Sequence, residues 1–414
     1  MRKPLISKIL TVLIITGMVR PVTGAGLKEF TGGVSSNTMT TNPASVSAVD
    51  QVHTQYEVIS FSTDNLQKTT PLAETVYNTG QFNHAEGSVI IPGTGGSIGF
   101  EQTVTLEHYN YLSKQSGSVY DYFNNGEVVY SSQSQSDLDF NTDISTFTTS
   151  AVLGYPFLDN MYVGVKLNRR LVDMKYQLKY SNTSIQWNNN ASDGNIGGTR
   201  EYSITADYTF DEYGVLFPYL FSTFGMGLFY RPIVEIKADL NQVDAFHQYN
   251  ESGGLNFSKP GNDTLEIKEP SLTILGFAYT FDLGNWGVVQ LMRDFGVFSD
   301  TENSFQGTRK GDGMDGGLIR ILMPPLVDLY YGIQSKDVGE YKVTKITTNL
   351  TFPVWDLGVL SLGLQTVTVL GADATVLSEV TYPTISMDLK FGSPRKRNWS
   401  PEPKSEKIPF FRQL

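Results

Sequence analysis

The chain has 414 residues with no cysteine, and its net charge is -11. No thiol means no disulfide framework and no cysteine-ligated metal, and the acidic balance argues against a nucleic-acid partner. Charged residues make up 18%, below the roughly 25% of soluble globular chains, while Tyr, Phe and Gly are abundant; that mixture suits a chain with one face turned to lipid.

The N-terminus reads as an export signal over residues 1–24. Arg2, Lys3 and Lys8 form a basic start, Ile9 to Ile15 a short apolar run, and Val22, Gly24 and Ala25 supply small residues for cleavage after Gly24 or Ala25. With no cysteine near that point, a lipoprotein anchor is excluded. Residues 25–52 follow as a small-residue lead containing the corner Asn42-Pro43-Ala44. Pro43 restricts its own backbone and that of Asn42, and the Asn42 side chain can bond nearby backbone groups, so the corner is stiff. Beyond the signal no run of 18 or more apolar residues occurs, which argues against helical membrane spans.

From residue 53 to 391 the repeated signal is period-two alternation over about ten residues, the pattern of a transmembrane barrel strand. Thr54 to Ser62 is the first expected strand. Met161, Val163, Val165 and Leu167 oppose Tyr162, Gly164, Lys166 and Asn168. Tyr202, Ile204, Ala206, Tyr208 and Phe210 oppose Ser203, Thr205, Asp207 and Thr209. Val234, Ile236, Ala238 and Leu240 oppose Glu235, Lys237 and Asp239. Ile385, Met387, Leu389 and Phe391 oppose Thr384, Ser386, Asp388 and Lys390. A soluble sandwich also alternates, but its strands usually run about five or six residues. Here Tyr180, Tyr202, Phe210, Tyr279 and Phe281 near segment ends read as interface girdles. A Lys on the lipid face at midplane costs about 2–4 kcal/mol, so Lys166, Lys237 and Lys390 are expected in the lumen. Ser181 to Thr199, Asn241 to Thr264 and Ser299 to Gly317 read as long polar loops; short turns fall near Asp159 and Gly284. Pro92 to Phe100 lacks the phosphate-loop spacing and reads as a hairpin turn.

The fold expected is therefore all-β: a transmembrane antiparallel barrel of about fourteen strands, in a bacterial outer membrane. Residues 392–414, rich in Pro and charge, read as a basic periplasmic tail, disordered by composition, and as a contact surface for a periplasmic or secretion partner.

The signal, the Gly-rich lead, the Asn42-Pro43-Ala44 corner and the first strand together resemble the FadL family of outer-membrane transporters. Two further segments are similar to that family's strands, with Tyr230, Arg231 and Pro232 in one and Pro270, Gly276 and Tyr279 in the other. The resemblance implies a fourteen-stranded barrel with an internal hatch, and passive uptake of hydrophobic small molecules such as long-chain fatty acids. Relatives of the PorV type share the fold but serve secretion, which keeps a protein-docking role as the alternative.

For a hydrophobic acid, cations in an apolar lumen would meet the carboxylate; by parity these are Lys166, Arg170, Arg231 and Lys237. In the segment from Met161 to Tyr180 the apolar set moves from odd to even positions between Leu167 and Val172, around Arg169. Either a kink there opens a side exit, or the strand leaves the membrane near Arg169–Arg170. Nothing points to an enzyme, a cofactor or a metal: the four histidines are dispersed, no G-x-S-x-G elbow occurs, and the acids of Asp300 to Asp315 lack EF-hand spacing.

Overall fold

The computed structural model describes residues 42–48, 52–69, 72–116, 120–124, 127–158, 160–187, 192–218, 223–249, 255–284, 287–303, 307–309, 313–323, 327–338, 341–354, 358–371 and 376–391. The export signal (1–24), most of the lead (25–52) and the tail (392–414) lie outside them.

Among the described residues, one short helix, α1 (Ser45–Ala48), precedes nineteen strands: β1 (Val52–Thr69), β2 (Leu72–Ile90), β3 (Ser97–Ser116), β4 (Tyr120–Asn124), β5 (Glu127–Leu158), β6 (Met161–Trp187), β7 (Ser192–Phe217), β8 (Phe224–Arg231), β9 (Val234–Tyr249), β10 (Leu255–Glu269), β11 (Leu272–Asp282), β12 (Val288–Phe298), β13 (Thr301–Asn303), β14 (Gly307–Arg309), β15 (Gly313–Met323), β16 (Val327–Val338), β17 (Tyr341–Val354), β18 (Gly358–Leu370) and β19 (Val376–Phe391). Seventeen of them form one sheet, and β13 and β14 make a separate hairpin. The first strand begins at Val52, two residues before the expected Thr54, and runs seven residues past Ser62. Every pairing in the large sheet is antiparallel, and β1 pairs with both β2 and β19. The β2–β3 connection is the expected tight turn, with Gly93 and Gly95 at positive φ, where other residues are strained.

Two staves are broken by proline. Arg231 pairs with Leu272 and Val234 with Glu269, so Pro232 and Pro270 interrupt neighbouring strands at the same height. Proline has no N–H to give a ladder. On the other side, β7 pairs with β9 over Asn195–Ala206 and with β8 over Tyr213–Phe217. Residues 207–212 between those stretches have no partner on that edge.

Chemistry is distributed inside out over much of the sheet. Buried side chains include Glu86, Lys166, Arg320, Asn349 and Asp388, whereas Leu167, Phe295, Ile319, Leu364 and Ile385 are exposed. The alternation of β19 and of the first half of β6 runs as the sequence predicts. No helix among the described residues is long and apolar enough to cross a membrane; an exposed apolar belt on strands with a polar opposite face is the barrel solution to the same problem.

Strand lengths correct the loop assignments. β5, β6 and β7 have 32, 27 and 26 residues, against 11 each in β12 and β15. At about 3.3 Å per residue, the first group rises far beyond a belt about 25 Å tall. The segments read as loops over 181–199 and 241–264 are mostly strand, and 299–317 contains the β13–β14 hairpin. Their polar residues concealed strands that continue outside the apolar belt.

Candidate functional site: a seated N-terminal corner and a charged layer

The Asn42-Pro43-Ala44 corner and α1 lie on the buried face of β5, β6 and β7. Asn42 Oδ1 accepts from the Ala44 amide (3.1 Å), and the Ser45 amide donates to the Asn42 carbonyl (3.0 Å). The corner thus holds its own shape. It is tied to the sheet by Asn42 Nδ2, which donates to the Val215 carbonyl at 3.2 Å. Ala44 packs against Tyr162 and Leu216, and Val46 against Val152.

This close approach depends on three glycines brought side by side by register. Gly154 pairs with Gly164, and Gly164 with Gly214. A Cβ on Gly214 would fall within 3.0 Å of Asn42 Oδ1, one on Gly164 within 3.0 Å of the Pro43 carbonyl carbon, and one on Gly154 within 3.0 Å of Ser47 Oγ. Real Cβ atoms essentially never come so near. The row is a notch the width of a peptide chain, and the corner fills it.

One step along the same strands is a charged layer. Lys166, two residues from Gly164, meets Glu101 at 2.5 Å and Glu212 at 3.8 Å. His84 is wholly buried beside it, with Nε2 3.1 Å from Glu86 and Nδ1 3.1 Å from Thr103 Oγ1. Further along β6, Arg170 donates to Thr148 Oγ1 and the Tyr208 hydroxyl, and lies 3.9 Å from Glu269. Arg231 approaches the same Glu269 at 3.5 Å and donates to the Pro270 carbonyl.

Of the four cations expected in the lumen, Lys166, Arg170 and Arg231 therefore share the buried face, Lys166 between Glu101 and Glu212 and the two arginines sharing Glu269. Lys237 does not join them. It is exposed, with Glu235 and Asp239, while Val234, Ile236 and Ala238 on the same strand are buried. The reason is position. β9 stands outside the apolar belt, where a polar side chain facing outward meets water instead of lipid, so the outward face carries the charges. The side chain of Lys390 is outside the described set.

The parity change in β6 has the same cause, and no kink accompanies it. From Met161 to Tyr176 the even positions stay on the buried side, and pairing with β5 and β7 runs residue for residue past Leu167, Arg169 and Val172 with no register shift there. Below Arg169 the buried side holds Lys166 and Asn168; above it stand Val172, Met174 and Tyr176. The upper buried face is an apolar patch: Tyr208, Phe210, Val234 and Ile236, with Val172, Ala206 and Ile267 against it. The Arg170 guanidinium sits under it, 4.7 Å from the Phe210 ring centre. Phe210 and Tyr208 are thus core residues of the extension. Phe210 is not a girdle residue, whereas Tyr279 and Phe281 are exposed and in ring contact at 4.4 Å.

Sequence reasoning missed the acids Glu101, Glu212 and Glu269 and the pair His84–Glu86. A usable signal existed for Glu212, which lies two residues before Gly214 and so on its face of the strand.

No family model matches the sequence, and no curated protein matches it. Solved structures do. The toluene transporter TodX of P. putida superposes with a TM-score of 0.58 at 10% identity, covering 89% of this chain and 98% of that one. The toluene transporter TbuX of Ralstonia pickettii gives 0.57 at 11%, with coverages of 89% and 98%. A FadL homologue of Pseudomonas aeruginosa gives 0.56 at 11%, with 89% and 96%. At these identities the likeness is one of architecture, and it extends over nearly the whole of each partner: the chain has the FadL-type fold of these transporters.

Proposed function

We propose that this chain is a bacterial outer-membrane channel for passive entry of hydrophobic small molecules, with its N-terminal segment as a hatch. The observation that carries this reading is the corner at Asn42–Ala44, lodged in the glycine notch on the buried face close to the short turns. Pairing of β1 with both β2 and β19 supports a closed barrel. Counting β3/β4, β8/β9 and β10/β11 as single staves gives fourteen. The short turns mark the periplasmic end, so the hatch bars that end.

The cargo favoured is uncharged. Lys166 faces Glu101 and Glu212, and Arg170 and Arg231 share Glu269, so a fatty acid would have to compete with carboxylates already in place. The apolar patch around Tyr208, Phe210 and Ile236 instead offers hydrocarbon contact above the charged layer. That preference agrees with the toluene transporters and the monoaromatic hydrocarbon channel among the solved neighbours, which also include a FadL homologue. Hatch movement then lets cargo pass, and the unpaired edge of β7 at residues 207–212 is where sideways release has a gap to use.

The absence of cysteine makes a direct test clean. In an otherwise unaltered chain, Ser45→Cys should resist a membrane-impermeant maleimide, because Ser45 is buried. Adding Gly214→Val should speed labelling about tenfold or more, since overpacking costs about 1–3 kcal/mol. In cells lacking their own hydrocarbon channel, the intact chain should raise toluene uptake more than palmitate uptake. Increased sugar flux with neither cargo entering would show a general porin and sink the proposal.

A further inference from the structure

The exposed belt is uneven where it backs the glycine row. A groove of about 630 Å³ lies there, lined by Leu153, Tyr155, Val165, Tyr213, Leu228 and Tyr230, and the three glycines also line it. The backbone that seats the corner on one side thus bounds the groove on the other. All six side chains are exposed, and none of the lining residues is charged. Tyr213 and Tyr230, paired across β7 and β8, stack at 6.4 Å. The Tyr213 hydroxyl donates to Asp211 at 3.4 Å, which holds that ring at the rim.

We infer that this groove is a binding site for one acyl chain of a bilayer phospholipid, in the leaflet beside the short turns; the inference rests on the membrane reading above. Three observations select this occupant. The groove is continuous with the exposed apolar belt, which faces lipid. Its lining holds no cation, and its one buried polar side chain, Ser97, is a neutral hydroxyl that cannot balance the charge of a free acid, so its ligand must keep its head elsewhere, as a lipid does at the interface. It also lies close to the β2–β3 turn, with Ile91, Thr94 and Gly96 along its edge, within reach of a chain anchored at that interface. A tail lying there packs the glycine row from the lipid side, while Asn42–Ser47 packs it from within; voids on either side would forfeit contact energy.

The test uses the full-length protein in nanodiscs of phosphatidylethanolamine and phosphatidylglycerol containing a phospholipid with a diazirine in its acyl tail. After irradiation and peptide mapping, adducts on Leu153, Tyr155, Val165, Tyr213 and Tyr230 should exceed by several-fold those on Leu291, Phe295 and Leu364, which are comparably exposed. Val165→Trp, which fills the groove, should reduce that excess to the belt level, and Leu291→Trp should leave it unchanged. Even labelling around the belt would mean ordinary boundary lipid and overturn the site. Labelling of the groove by a diazirine fatty acid but not by the phospholipid would make it a cargo surface and overturn it equally. No labelling of any belt residue would instead overturn the membrane reading itself.

Discussion

The two halves of β6 share one ladder and one parity but opposite chemistry. From Met161 to Asn168 the exposed residues are apolar and the buried ones polar, as Leu167 and Lys166 illustrate. Beyond Arg169 the outward positions carry an exposed Leu171, a half-buried Asp173 and an exposed Lys175, and the inward side carries half-buried Val172 and Met174 and buried Tyr176. The lower half obeys the rule of a strand in lipid, where burial means a polar lumen. The upper half obeys the rule of a water-soluble sheet, where burial means an apolar core. Alternation therefore reports that a strand has two faces, and the surroundings decide which face carries the charges.

The lower half should show the largest effect. Lys166→Met removes the cation between Glu101 and Glu212 and leaves buried carboxylates uncompensated, which costs about 3–5 kcal/mol. Urea unfolding in detergent should show that loss. Combining Lys166→Met with Glu101→Gln and Glu212→Gln should recover most of it, because an uncharged set no longer needs a counterion. If the single change is neutral, the charged layer is not a matched network.

At the foot of the upper half, where Phe210 pairs with Asn168, the equivalent lesion is apolar. Phe210→Ala should destabilise by about 3 kcal/mol, at the low end for a buried aromatic because neighbours on a sheet can partly close over the gap. The same substitution at a girdle residue such as Phe281 should cost less, since that ring is already exposed. Equal losses at the two sites would return Phe210 to the interface and undo the division between the halves.

A charge placed on the exposed face separates the halves more directly. Leu167→Arg puts a cation on the lipid side of the belt, with a cost of about 2–4 kcal/mol at midplane that falls toward the interface. The position of Leu167, two residues below Arg169, favours the lower part of that range. Refolding yield into lipid vesicles should fall accordingly, while Lys175→Leu in the upper half should not affect it.

These contrasts also explain what the sequence made legible. The face assignment of β19 was readable because the whole run from Thr384 to Asp388 lies at the belt, where lipid and lumen differ sharply. The Asn42-Pro43-Ala44 corner was readable from its own stiffness. The notch was not: Gly154, Gly164 and Gly214 become neighbours only through the register of three strands, which no local pattern encodes. The upper strands were hidden for a different reason. Outside the belt, residues such as Asn241, Asp244 and Lys259 sit on paired strands while resembling loop composition.

Lys237→Leu carries the smallest expected change and isolates the error in the rule that sends every strand lysine to the lumen. That rule rests on the cost of a charge in lipid, so it applies only to residues inside the belt. Lys237 is exposed on β9, beside Glu235 and Asp239, at a height where the neighbouring buried positions are Ile236 and Ala238. An exposed substitution of this kind usually shifts stability by no more than about 0.5 kcal/mol, and urea midpoints should agree within that range. Ile236→Lys, one residue away, should instead prevent folding of the extension by burying an unpaired charge in an apolar patch. A severe loss for Lys237→Leu together with tolerance of Ile236→Lys would mean that β9 presents the opposite face, and the inversion between the halves would then end below Pro232 rather than continue through it.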